Sequence, residues 1–167
     1  MMALRIRTIE WEDPNQLVEP MRNLSGLEFL QKIARRELPP PPIGALMQFN
    51  VVEVSPGRAV FAAQPEEFHY NPIGVVHGGL AATLLDSAMG CAIHSMLPLG
   101  VGYTTLEIKV NFVRALTVAT GPVRSEAEVV HMGSRTATAQ GRLVDSKGKL
   151  YAHATTTCLI LSQQRSE

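Results

Sequence analysis

The chain has 167 residues, 46% apolar and 18% charged, which allows one domain with its own core and excludes a disordered chain. Lys plus Arg equals Asp plus Glu, 15 each, so no net field draws the protein to nucleic acid or to an acidic membrane surface.

Residues 1–24 read as an arm without clear periodicity, and without the continuous apolar run of a signal peptide. S-G-L-E at 25–28 has the form of a capping box. Leu27, Leu30, Ile33, Ala34 and Leu38 follow at near-helical spacing, which predicts a helix over 26–37. The E-L-P-P-P-P run ends it, because proline lacks a donor and restricts its neighbour. A-L-M-Q-F-N-V-V-E-V and R-A-V-F-A-A-Q-P flank Ser55-Pro56-Gly57 and predict two strands about a turn. Residues 65–76 read as a loop. From Gly78 to about Leu97 the chain is apolar nearly all round, which predicts a buried helix ended by Pro98 and Gly100. The uncharged stretch 87–106 is broken by His94, Pro98 and glycines, so it is not a membrane span. Four strands follow, over about 103–113, 122–132, 134–145 and 149–161, the last two joined by a turn at 145–148. Strands segregated from one long helix predict an α+β fold, a curved antiparallel sheet around that helix. The expected organisation is an N-terminal arm and helix over 1–43 and the main domain over 44–163. Cys91 and Cys158 have no partner at metal-ligand spacing and read as two buried thiols in a cytoplasmic protein.

Asp86 stands out because Leu84, Leu85, Ala88 and Met89 flank it and no Lys or Arg lies within a turn. A buried carboxylate is costly unless bonded, so Asp86 is either a catalytic acid or a half-exposed residue held by a distant group. His77-Gly78-Gly79 starts the helix, whose first N–H groups lack internal partners and can polarise a carbonyl. Alternatively the glycines form a simple turn. His77 is either a general base or a ring bonded to the loop backbone. Asn71 either orients a water or carbonyl or belongs to an Asn-Pro turn. Thr104 and Thr105 open a strand and place one hydroxyl on each face, and without further context they read as β-formers rather than as site residues. His131, Gly133, Ser134 and Arg135 join two strands, either as a phosphate grip or as a solvated connection. Gly78 and Asp86 lie about 12 Å apart along a helix axis. One carbonyl carbon cannot easily meet both within a single chain, so a shared site calls for Asp86 from a second protomer.

N-P-I-G-V-V-H-G-G-L-A-A-T-L-L-D-S-A, residues 71–88, resembles the signature of the phenylacetate-degradation-type acyl-CoA thioesterases of the hotdog superfamily. T-T-L-E-I-K-V-N-F-V-R-A-L and the segment from Gly133 onward, G-S-R-T-A-T-A-Q-G-R-L-V-D, extend the likeness over about 44–161. The resemblance implies a hotdog fold, dimers that pair into tetramers, and hydrolysis of an acyl-CoA substrate without metal or organic cofactor. It implies that Gly78 polarises the thioester carbonyl and that Asp86 is nucleophile or general base. By the same likeness Asn71 positions carbonyl or water, Thr105 assists the water, and His77 belongs to the H-G-G element. Gly79 and the His131, Gly133, Ser134 and Arg135 connection are the expected CoA contacts. A related branch carries Glu at the acid position and Thr four residues later; Asp86 and Gly90 stand here instead. The rival readings are a hotdog enoyl-CoA hydratase and a non-catalytic acyl-CoA sensor. No nucleic-acid or membrane partner is expected.

Overall fold

The computed structural model describes residues 4–161; the first three residues of the expected arm and residues 162–163 of the expected main domain lie outside this range. Three short helices, α1 (Val18–Asn23), α2 (Gly26–Ala34) and α3 (Pro42–Met47), precede two strands, β1 (Phe49–Ser55) and β2 (Arg58–Ala63). The long helix α4 (Gly78–His94) comes next, followed by β3 (Gly102–Phe112), β4 (Val123–Met132), β5 (Thr136–Asp145) and β6 (Leu150–Leu161). The strands form one antiparallel sheet in the order β1-β2-β4-β5-β6-β3.

Helix α4 packs along the inner face of this sheet. Leu80, Leu84, Leu85, Met89 and Ile93 are fully buried there, and each such side chain contributes about 1.5–3 kcal/mol by leaving water. The inner face beneath them is built from small residues: Ala137, Ala139, Gly141, Ala152 and Ala154. Gly141 sets the closeness of approach, since a methyl group there would lie 3.1 Å from Met89 Cγ and 3.2 Å from Leu85 Cδ2. This is the α+β architecture expected from the sequence.

The capping box forms as read: the Glu28 N–H donates to Ser25 Oγ, and the Ser25 N–H donates to Glu28 Oε2. Helix α2 ends at Ala34 rather than 37, where Arg36 takes a left-handed φ of 60°. Its first N–H, on Gly26, donates to the Leu97 carbonyl just beyond α4. The Phe29 ring lies against His94, which in turn lies against Tyr103. Burial holds the His94 imidazole below its ordinary pKa.

Several expectations are corrected. Ala45, Leu46 and Met47 belong to α3 and not to the first strand, which starts at Phe49. Pro42 opens that helix, where its missing N–H costs nothing. The arm contains a 3-10 turn (Pro14–Leu17) and α1. Helix α4 stops at His94, short of Leu97, and Ser134 and Arg135 fall before β5. The helix is also not enclosed on every side: Ala82, Thr83, Asp86, Ser87 and Cys91 form a half-exposed stripe. Both cysteines are free thiols. Among the described residues no helix is long and apolar enough to cross a membrane.

Candidate active site

The loop before α4 is tied down by its own backbone. The Val76 N–H donates to the Leu116 carbonyl and the His77 N–H to the His69 carbonyl. Asn71 Oδ1 accepts from the N–H groups of Ile73 (3.1 Å) and Val75 (3.3 Å), so Asn71 is a turn residue that fixes the approach to the helix. Its carbonyl oxygen is thereby engaged, which leaves the amide NH₂ as the part able to donate to a ligand.

His77 caps α4. Its Nδ1 accepts from the Gly79 N–H at 2.8 Å, so the ring bonds the local backbone, one of the two readings open from the sequence. The same bond engages the Gly79 N–H within the cap. The Leu80 N–H turns back to the His77 carbonyl. The Gly78 N–H alone in this turn has no acceptor among the described residues. It lies at the positive end of a helix of 17 residues, beside a cleft whose walls include Val75, His77, Phe112, Arg114 and Tyr151. Phe112 packs so close to Gly78 that a side chain there would lie 3.1 Å from its ring.

Asp86 sits on the half-exposed stripe of α4 and accepts a hydrogen bond from Thr105 Oγ1 at 3.0 Å. Thr104, its neighbour, is exposed on the other face of β3. Asp86 makes no ion pair among the described residues. Thr105 also lies 3.9 Å from Cys158 Sγ. Tyr103 and Cys91 complete the surroundings, and the sequence places neither beside Asp86. Burial pushes the Cys91 thiol up to about 12, and the Asp86 charge adds to the effect. Burial also raises the Cys158 thiol and holds Tyr103 well above its ordinary value. These groups stay protonated at neutral pH, so neither thiol is a nucleophile here. Asp86 is the one carboxyl group among these side chains, and the Thr105 hydroxyl is its hydrogen-bond donor.

Strand register fixes the larger geometry. Thr105 pairs with Cys158, Cys158 with Ala137, and Ala137 with Met132. This row crosses four strands, or about 14 Å at the usual spacing. It puts the His131 to Arg135 connection at the same end of the sheet as Asp86. His131, Ser134 and Arg135 are exposed there, while the Gly133 N–H is used within the hairpin by the Thr136 carbonyl. The hairpin therefore presents the side chains of His131, Ser134 and Arg135 to solvent, with the Gly133 N–H engaged internally. Gly78 and Phe112 lie at the opposite end, in the row Phe112, Ala152, Leu143. A β-bulge between Thr105 and Glu107 shifts the alternation of β3, so that Tyr103 and Thr105 share a face with Ile108, Val110 and Phe112. Among the described residues no cluster of His, Cys, Asp and Glu could hold a metal ion.

Residues 73–152 match the family profile described as Thioesterase superfamily. The chain is 30% identical to the phenylacetic acid degradation protein PaaI from Thermus thermophilus, solved as a point mutant. That likeness covers 71% of this chain and 98% of the other, with a TM-score of 0.65. Human acyl-coenzyme A thioesterase 13 is 40% identical over 48 residues, 29% of this chain and 34% of that one. A Halobacterium salinarum protein is 39% identical over 69 residues, 40% of this chain and 44% of that one. The chain thus aligns with less than half the length of these two sequence relatives.

Proposed function

The chain belongs to the thioesterase superfamily, with its hotdog fold, and from that membership we propose that it hydrolyses acyl-CoA thioesters to the free acid and CoA. The observation that carries the reading is Asp86, an unpaired carboxylate on the open stripe of α4, held by the Thr105 hydroxyl. With one oxygen engaged by Thr105, the other is left for water. Asp86 takes a proton from that water as its oxygen attacks the thioester carbon. The Gly78 N–H receives the oxyanion, an effect of about 2.7–4 kcal/mol for one such donor. Collapse breaks the C–S bond, and the CoA sulfur leaves with the proton that Asp86 had taken. Asn71 donates from its amide to the carbonyl or the water, and Arg135 with the exposed hairpin meets the CoA phosphates.

The acid and the oxyanion donor come from two protomers. Eight residues of α4 separate them, about 12 Å along the axis. Among the described residues β3 is an edge strand with one neighbour, β6, and Leu106 and Phe112 on it are 57% and 59% exposed. An unpaired edge of this kind is a template for a second strand. Antiparallel pairing of two β3 strands about their middles, near Ile108 and Lys109, sets Thr105 of one protomer opposite Phe112 of its partner. Asp86 bonds Thr105, and Gly78 packs on Phe112, so each two-fold pair joins the Asp86 end of one chain to the Gly78 end of the other.

Thiol release from acyl-CoAs of varied chain length tests the assignment. Asp86→Asn lowers kcat about a hundred- to ten-thousand-fold with the fold intact. Full activity in a well-folded Asp86→Asn protein, checked by mass for deamidation, sinks the role of this carboxylate. A single turnover in heavy-oxygen water places the label directly in the product acid if Asp86 is a base. Label retained in the protein makes it the nucleophile.

A further inference from the structure

The open stripe of α4 has a direction. Thr83, Ser87 and Cys91 follow at i+4 spacing, with Ala82 and Asp86 on the neighbouring row. Toward the C-terminal end of α4 the stripe passes beneath α2. There residues before the family-matched segment, together with Cys91, line a partly open cavity of about 360 Å³, with Leu30, Ile33, Ala34, Pro41 and Phe49 on its walls. That volume lies in the ordinary range of small-molecule pockets, about 300–1,000 Å³. Cys91 joins the two regions: it lines the cavity, its thiol is hydrogen-bonded to Tyr103, and it feels the Asp86 charge. Gly90 lets Tyr103 lie against the helix at this point, since a methyl group there would come within 2.6 Å of the Tyr103 hydroxyl. From Asp86 to Cys91 is about 7.5 Å along the axis.

We infer that this cavity takes the acyl chain of the substrate, and that α2 and the proline run select an unsubstituted hydrocarbon chain of medium length. The inference rests on the thioesterase reading. With the thioester carbon beside Asp86, the first methylenes follow the stripe and the later ones enter the cavity, which an acetyl group is too short to reach. The polar side chains on its walls, Arg36 and Asn50, belong to exposed residues. A hydroxyl or amide carried deep on the chain would lose its water and find no partner, whereas each buried methylene gains affinity.

Non-hydrolysable S-alkyl-CoA thioethers read the cavity without turnover. Calorimetry on the full chain should give S-octyl-CoA an affinity above that of S-ethyl-CoA by about tenfold or more. Filling the cavity with Ala34→Phe, or separately with Ile33→Trp, should pull that ratio toward one. The Leu30 and Ile33 methyl resonances should shift with S-octyl-CoA and not with S-ethyl-CoA, a readout that needs no variant. A wild-type ratio near one, an unchanged ratio in a folded filled variant, or methyl shifts confined to other residues overturns the inference. Thiol release from octanoyl-CoA is scored separately. Hydrolysis without a chain-length preference in binding defeats the cavity alone, and the preference without hydrolysis of any acyl-CoA defeats the thioesterase reading alone.

Discussion

The Thr105 hydroxyl stands 3.0 Å from Asp86 Oδ1, and a carboxylate on an apolar helix is costly without such a donor. Thr105→Val keeps the shape and removes the bond. A hydrogen bond to a charged group is typically worth about 1.5–3 kcal/mol, so kcat should fall roughly ten- to hundredfold. KM should change less, and Thr105→Ser should recover most of the loss. An unchanged kcat in Thr105→Val would make the bond incidental to the reaction. Asp86 is legible in the sequence because its apolar neighbours leave it conspicuous. Its donor is not legible from chemistry alone, since Thr104 and Thr105 are equivalent strand openers until the face of each is known. The bulge after Thr105 also resets the alternation, and nothing in T-T-L-E-I-K marks it. His77 admits two readings in the sequence, and in the structure its Nδ1 accepts from the Gly79 N–H, a bond that no sequence pattern marks.

Helix α2 docks through one residue without a side chain. A methyl group at Gly26 would lie 1.8 Å from the His94 carbonyl oxygen, a backbone atom that cannot swing aside. Gly26→Ala should therefore displace the start of α2, break the Gly26 to Leu97 hydrogen bond, and loosen the Phe29 and His94 contact. Overpacking at its upper range costs about 3 kcal/mol or more, which lowers Tm by roughly 6–12 °C in a chain of this size. Calorimetry checks this, and an unchanged Tm would show that α2 docks by other contacts. The capping box makes α2 readable, and apolar alternation with clear turns places the last four strands within about two residues. Helix α3 is not readable because A-L-M-Q has neither period over so short a span, and a proline run that ends one helix also starts the next. The open side of α4 is hidden for a similar reason: Ala82 and Cys91 look as apolar as the residues that the sheet covers, and hydrophobicity does not say which face lacks a neighbour.

At the scale of the molecule the two edges of the sheet differ. The β1 edge has α2 packed against it, while β3 carries half-exposed apolar side chains along a strand of 11 residues. The sequence suggests a second protomer through helix length and through the family resemblance. The strand order adds where that protomer would join, which no single-chain pattern could supply. The shared-site proposal has a test that does not depend on oligomer size. Asn71→Ala releases the loop that presents Gly78, and Asp86→Ala removes the carboxylate, so each protein alone is inactive. The two are unfolded together in equal amounts and refolded. In a two-fold pair, each mixed dimer has one site with both defects and one with neither. Random pairing makes half the dimers mixed, so about a quarter of all sites should be intact and activity should return to about that fraction of wild type. If each site were built within one chain, every site would keep one defect and mixing would restore nothing. Mixed dimers seen by native mass spectrometry without recovered hydrolysis would therefore reject the shared site, while the Asp86→Asn and thiol-release results would still stand on their own.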